Sequence, residues 1–138
     1  MSSVTSIILC TYNEEKHIEN TIHELEKNIS NLEIVIVDDS STDGTIEIIK
    51  KINTNNKYKV ILRKKSRSLA SAFVRGLTET TGSYIGWIDT NMSELANVFP
   101  KMEIELNSDK DLILLSRYID GGDDKRRFLR SFCSKYFN

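Results

Sequence analysis

Apolar residues in this chain come as short unbroken runs, alternating with stretches in which they recur every three or four positions. That is the pattern of strands and helices in turn. Ser6 to Thr11 (SIILCT) is predicted as a first strand. Asn13 is predicted to cap a helix whose apolar residues Ile18, Ile22, Leu25 and Ile29 step by four, three and four, with Glu14 and Glu15 placed in its first turn to suit the helix dipole. Glu33 to Val37 reads as a second strand, and its β-branched run Ile34, Val35, Ile36 and Val37 suits burial on both faces of a parallel sheet. A helix opening at about Thr45 follows, with Ile46, Ile48, Ile49 and Ile52 on its buried side. Tyr58 to Leu62 is the third strand, and Leu69, Ala72, Phe73 and Leu77 mark a short helix that Gly82 is expected to end. Tyr84 to Ile88 is the fourth strand, finishing in Asp89, and Asp111 to Tyr118 holds a fifth before a Gly121-Gly122 break. The alternation predicts one α/β domain over residues 1–138, an open and mostly parallel sheet with helices on both faces.

Composition narrows the classes without choosing among them. A chain of 138 residues with 39% hydrophobic and 28% charged content has the make-up of a soluble globular domain. Nineteen basic residues against twenty acidic ones give a formal charge of -1, so there is no polycation to indicate nucleic acid. No apolar run reaches the roughly 18 residues of a membrane span, and the start has no signal-peptide pattern, so a cytoplasmic location is expected. Cys10 and Cys133 lie far apart and indicate neither a disulfide framework nor a zinc site. His17 and His23 stand six apart on the first helix, off the spacing for a shared metal, and read as solvated.

The chemistry gathers where strands end. In open α/β sheets ligands bind beyond the carboxyl ends of the strands. Here those ends deliver Thr11, Tyr12, Asn13 and Glu14 from the first strand, Asp38 and Asp39 from the second, and Asp89 and Asn91 from the fourth. Asp89 and Asn91 are two apart, so in extended conformation both project to one side and can reach one cation; Ser93 offers a further hydroxyl. Hard divalent ions take such oxygen ligands together with substrate phosphates. Ser40 to Gly44, taken alone, is equally an ordinary turn with Asp43 as a cap. No G-x-G-x-x-G follows the first strand and no P-loop is present, which argues against a dinucleotide-binding domain.

In order, TYNEE, IVIVDDSSTDGT, LASAFVRG, TGSYIGWIDTN and SRYIDGG resemble the family 2 inverting glycosyltransferases of the GT-A fold, from Ile7 to about Arg127. SRYIDGG points to the branch that acts on polyprenyl or dolichyl phosphate. The resemblance implies a GT-A, Rossmann-like sheet and transfer of a hexose, mannose ahead of glucose, from GDP-mannose or UDP-glucose to a polyprenyl phosphate, with Mg²⁺ or Mn²⁺ as cofactor. It implies that Thr11, Tyr12, Glu14, Val37 and Asp39 form the nucleotide-sugar site, and that Asp89 and Asn91 take the place of the metal motif. Asp89, Arg117 and Arg127 would be catalytic, with Arg117 and Arg126 toward the donor; Arg126 and Arg127 remain alternatives for one basic position. An anionic acceptor phosphate needs no general base, whereas a hydroxyl acceptor does.

The chain departs from the pattern at several points. Cys10 stands where the family usually has proline, Asn91 where it usually has aspartate, and Ser68 and Ala70 where glycines are common. The segment after Gly122 is short, and relatives are much longer. Phe128, Phe132 and Tyr136, with Leu129, Cys133 and Phe137, recur beside Lys125, Arg126, Arg127, Arg130 and Lys135, which predicts a basic amphipathic helix. It would pack on protein or lie on an anionic membrane surface at the cytoplasmic face. Arg63, Lys64, Lys65 and Arg67 read as a solvated loop, with a phosphate contact from one member as the alternative. Two rival functions stand beside the first: a family 2 transferase acting on a glycan hydroxyl, and an inactive nucleotide-sugar-binding or scaffolding module.

Overall fold

The computed structural model describes residues 3–64, 68–108 and 110–116. Four strands, β1 (Thr5–Thr11), β2 (Leu32–Asp38), β3 (Lys57–Leu62) and β4 (Tyr84–Trp87), form a sheet in the order β3-β2-β1-β4. All three pairings are parallel. Each strand falls within a residue or so of its predicted limits, because uninterrupted β-branched runs leave little choice of conformation.

Helices α1 (Ile18–Asn28) and α2 (Thr45–Lys51) follow β1 and β2, and α3 (Leu69–Leu77) follows β3. Side-chain alternation divides the core between the two faces of the sheet. Ile7 and Leu9 of β1 with Ile34 and Ile36 of β2 meet Ile18, Ile22, Leu25 and Ile49 on one face. On the other, Ile8, Val35 and Val37 meet Ala72 of α3. Each of these fully buried aliphatic side chains contributes roughly 1.5–3 kcal/mol, so the two central strands carry most of the fold. Helix α3 lies so close to β1 that a Cβ on Gly76 would come within 2.6 Å of Ile8 Cγ2.

Several expectations need correction. Asn13 does not cap α1: it has φ 58, in the left-handed region that asparagine tolerates, and the helix begins only at Ile18 after a turn through Glu14 and Glu15. Gly82 does not end α3, which stops at Leu77; a Cβ there would meet Val4 O at 2.5 Å and Ser6 Oγ at 2.6 Å, so its role is close approach to β1. A 3₁₀ helix (Ser93–Val98) running into α4 (Phe99–Leu106) was not anticipated, although Pro100 at the start of α4 is a helix-opening signal. The fifth strand is absent over residues 111–116, which have no regular structure. A strand requires a ladder partner, and among the described residues none is offered to this stretch, where Leu112, Leu114 and Leu115 are exposed. Tyr118, the Gly121-Gly122 break and the basic aromatic segment lie outside the described residues, as do Lys65 and Arg67. Contacts divide the chain at Ile104 into two units, and the site below belongs to the first.

At the amino ends of the strands a buried carboxylate ties three segments together. Glu33 is fully buried and accepts from Ser6 Oγ, from Thr81 N at 2.7 Å and from Thr81 Oγ1 at 2.9 Å, while Gly82 N donates to Ser6 Oγ. Burial pushes this carboxyl up, but the Ser6 and Thr81 hydrogen bonds outweigh it and hold the group below its ordinary value of 4.5. A lowered folded-state value means that the contribution to stability is complete above 4.5 and is lost as pH falls through the folded value. Glu33→Gln is therefore expected to cost about 2 kcal/mol at neutral pH. Urea midpoints at pH 7 and pH 3.5 check this: the gap between variant and wild type narrows in acid.

Candidate nucleotide-sugar site

Chain order reverses between β1 and β4, since β2 and β3 are laid down on one side of β1 and β4 on the other. Such a switch point opens a crevice at the carboxyl ends. The tips of β1, β2 and β4 meet there.

The two aspartates that end β2 have different surroundings. Asp38 is fully buried and accepts from Thr11 Oγ1 at 2.8 Å, Ser41 N at 2.9 Å and Ser41 Oγ at 2.5 Å. It is a structural anchor. Asp39 N donates to Thr11 O at 2.9 Å, and the Asp39 side chain keeps 9% exposure at the crevice. Its carboxylate is gripped by Arg63 at the end of β3, with Nε to Oδ1 at 2.5 Å and Nη2 to Oδ2 at 2.6 Å. Arg63 is thus no solvated loop residue, as its sequence neighbourhood suggested: its side chain is only 12% exposed.

The loops after β1 and β2 are stitched together reciprocally. Asn13 N donates to Ser41 Oγ, Asn13 Oδ1 accepts from Thr42 N, Glu14 N donates to Thr45 Oγ1, Glu15 N donates to Asp43 Oδ2, and Glu15 Oε2 accepts from Gly44 N. SSTDGT therefore holds the Tyr12 turn in place, with Asp43 Oδ1 also accepting from Thr45 N at the start of α2. Ser40, like Asn13, has a positive φ, of 62, and donates its hydroxyl to Arg63 O. A polar cleft of about 310 Å³ opens beside this seam, lined by Asn13, Glu14, Glu15, Lys16, His17, Asp43 and Asn91.

Beyond β4, Asp89 and Asn91 are not extended. Met92 N bonds Asp89 O at 3.0 Å, which closes a turn, and Thr90 O inside it accepts from Thr21 Oγ1 at 2.5 Å, fastening the turn to α1. Both Asp89 and Asn91 are exposed. Ser93 is engaged by Asn20, whose Nδ2 donates to its hydroxyl at 2.8 Å. Cys10 reports the field between the tips: burial first, then the charges of Asp39 and Asp89 against that of Arg63, pushes its thiol up to about 11. The registers Thr11 with Asp38 and Ile8 with Trp87 set the β2 and β4 tips on opposite sides of β1. With neighbouring strands about 4.8 Å apart, the two tips stand roughly 10 Å from one another across β1.

Of the residues expected to line the site, Tyr12 is exposed and Glu14 is half-buried on the cleft, while Asp39, nearly buried, and Asp89, exposed, follow the ends of β2 and β4 outside the cleft's lining. Two more turn inward. Val37 is fully buried in the core with Ile8 and Val35, and Thr11, at 2% exposure, donates its hydroxyl to Asp38. Alternation along β1 and β2 turns both side chains inward, so they support the site from below. Arg117, Arg126 and Arg127 lie outside the described residues. Arg63 and the hydrogen-bonded seam escaped notice because each depends on register between segments more than twenty residues apart.

One sequence comparison decides the family. The profile of "Glycosyl transferase family 2" matches residues 6–137, almost the whole chain. The chain belongs to glycosyl transferase family 2. It is 33% identical over 133 residues to a dolichol-phosphate mannosyltransferase of Pyrococcus furiosus, covering 94% of this chain and 38% of that protein. It is 30% identical to the dolichol-phosphate mannosyltransferase of Saccharomyces cerevisiae, covering 91% and 49%. This family 2 chain therefore spans less than half the length of these relatives. Among solved structures it resembles S. aureus TarS in complex with UDP-GlcNAc, with TM-score 0.63 and 25% identity over 76% of this chain and 31% of that one. It shares its fold with a Pyrobaculum calidifontis mannosyltransferase solved with GDP-Man and Mn²⁺, with TM-score 0.62 and 24% identity over 72% and 32% of the two chains. The fold is that of the GT-A glycosyltransferases.

No cluster of three or more His, Cys, Asp or Glu side chains suited to a metal occurs among the described residues. Asp89 and Asn91 nevertheless fit a hard cation by donor chemistry: one carboxylate and one amide oxygen suffice where substrate phosphates and waters complete the shell.

Proposed function

We propose that this chain is the nucleotide-sugar-binding part of an inverting glycosyltransferase that moves a hexose, mannose ahead of glucose, to a polyprenyl phosphate. The observation that supports the proposal is the parallel order β3-β2-β1-β4, which sets the ends of β2 and β4 on either side of β1 and its Tyr12 turn at a switch point. The names of the sequence relatives favour mannose as the sugar and a dolichol phosphate as the acceptor. TarS, bound to UDP-GlcNAc, is the reason to keep a UDP-sugar as the second donor to test.

In this reading Tyr12, Glu14 and Asp39 meet the nucleoside. Asp89 and Asn91 would hold Mg²⁺ or Mn²⁺, which when bound would offset negative charge on a diphosphate. Arg117, with Arg126 or Arg127, meets the donor diphosphate and the acceptor phosphate. An acceptor phosphate oxygen forms the new bond to the anomeric carbon as the bond from that carbon to the nucleoside diphosphate breaks, so configuration inverts. The acceptor is already anionic, and no general base is required. The protein works at the cytoplasmic face of a membrane, where the acceptor lipid is presented to the basic aromatic segment.

The test is incubation with labelled GDP-mannose or UDP-glucose and Mn²⁺, with and without short polyprenyl phosphates. Label in the lipid fraction is expected with GDP-mannose. Trp87 gives a second readout: the only tryptophan, 43% exposed and with its ring centroid 6.0 Å from that of Phe73, it stands two residues before Asp89. Its emission is expected to change on donor addition. Unchanged emission together with no calorimetric heat from either nucleotide sugar would contradict the proposal.

A further inference from the structure

The bidentate grip of Arg63 on Asp39 has no part in the roles given above. Both nitrogens that touch Asp39 belong to one rigid planar fork, and the fork is itself braced. Arg63 Nη1 donates to Ser71 Oγ at 2.9 Å and Nη2 to Ser68 O at 3.2 Å, both in the first turn of α3. Ser68 is the cap residue of that helix, and Ser71 Oγ donates to Ser68 O at 3.0 Å. The Arg63 backbone is pinned as well, with N donating to Asp38 O at 2.8 Å and O accepting from Ser40 Oγ. One guanidinium therefore joins the tips of β2 and β3 to the start of α3.

A buried ion pair contributes little net stability, because desolvation offsets much of the attraction. Its geometric effect is larger. Two parallel bonds to one carboxylate fix the carboxylate plane, and charge-assisted pairs of this kind are the strong ones. The pair also offsets the charge of Asp39. A lysine would keep the charge but lose the fork, since an ammonium is a point donor without fixed orientation.

We infer that Arg63 is a positioning residue for nucleotide recognition: braced by Ser68 and Ser71, it holds the Asp39 carboxylate in the orientation that the nucleotide meets. The inference rests on the reading of this crevice as a nucleotide-sugar site, and it adds a residue that acts through Asp39 without touching the ligand.

A double-mutant cycle on the full chain tests it. Calorimetric affinities for GDP-mannose and UDP-glucose with Mn²⁺ are measured for wild type, Arg63→Gln, Arg63→Lys, Asp39→Asn and the Arg63→Gln/Asp39→Asn pair, with thermal midpoints alongside. Arg63→Gln and Asp39→Asn are each expected to weaken binding about 10- to 100-fold, as loss of an orienting partner does elsewhere. Arg63→Lys is expected to recover less than half of that loss on a logarithmic scale while melting near wild type. The double variant is expected to bind no more weakly than Asp39→Asn alone, the non-additivity of residues acting as one unit. Additive losses, or a folded Arg63→Lys that binds as wild type does, would overturn the inference. Should Arg63→Gln fail to fold, the Arg63→Lys result decides. A wild-type chain that binds neither nucleotide sugar would overturn the reading of the site, and this inference with it.

Discussion

Replacing Asp89 by alanine is expected to abolish cation-dependent binding of nucleotide sugar and to reduce transfer at least about 100-fold, the scale on which loss of one preorganised charge-stabilising group slows an enzyme. The reason is specific to this chain. Of the pair Asp89 and Asn91, only Asp89 carries charge, so no second carboxylate in the pair compensates for its loss. Asp39 does not substitute for it, because Arg63 already offsets its charge. The variant should fold normally: Asp89 is exposed, and the bond that closes its turn runs from Met92 N to its backbone oxygen, which alanine keeps. Titration of Mn²⁺ in the presence of GDP-mannose, followed by calorimetry, checks the effect. A variant that binds with wild-type metal dependence would move the cation site elsewhere.

Asp38→Ala, one residue from a proposed ligand contact, is expected to fail in the opposite manner. Its carboxylate accepts three hydrogen bonds at full burial, from Thr11 and twice from Ser41. Removing it strands two hydroxyls and an amide, at a cost of about 3 kcal/mol. For a domain of this size that corresponds to a thermal midpoint lower by roughly 10 °C. Asp39→Asn leaves the Arg63 guanidinium, 12% exposed, without its anion, so its midpoint falls as well, but this variant also loses nucleotide affinity while still folded. Calorimetric affinity measured below both midpoints separates a structural aspartate from a ligand-facing one, though the two are neighbours in sequence.

That contrast shows what could be read before the structure. The strands were legible, since runs such as Ile34 to Val37 admit few alternatives, and so was the gathering of Tyr12, Asp39 and Asp89 at one sheet edge, since topology alone brings strand tips together. Which face a tip residue presents was not. Thr11 and Val37 carry the right side chains at the right end of their strands but turn inward, a matter of register with β1 and β3 partners. Asn13 looked like a helix cap because asparagine suits both a cap and a left-handed turn, and its bonds to Ser41 and Thr42 across the seam decide for the turn. The basic cluster after β3 gave no hint that Arg63 is buried. Only the parallel pairing of Asp38 with Leu62, which puts Arg63 beside Asp39, selects it.

A crystal structure of the chain with GDP-mannose and Mn²⁺ tests the central claim most directly. The account predicts nucleotide density in the crevice between the Tyr12 turn and Asp39, the Asp39 to Arg63 pair intact, and the diphosphate running across the end of β1 toward Asp89. Nucleotide bound away from the β1/β4 switch point, or a diphosphate that turns away from Asp89, would contradict it.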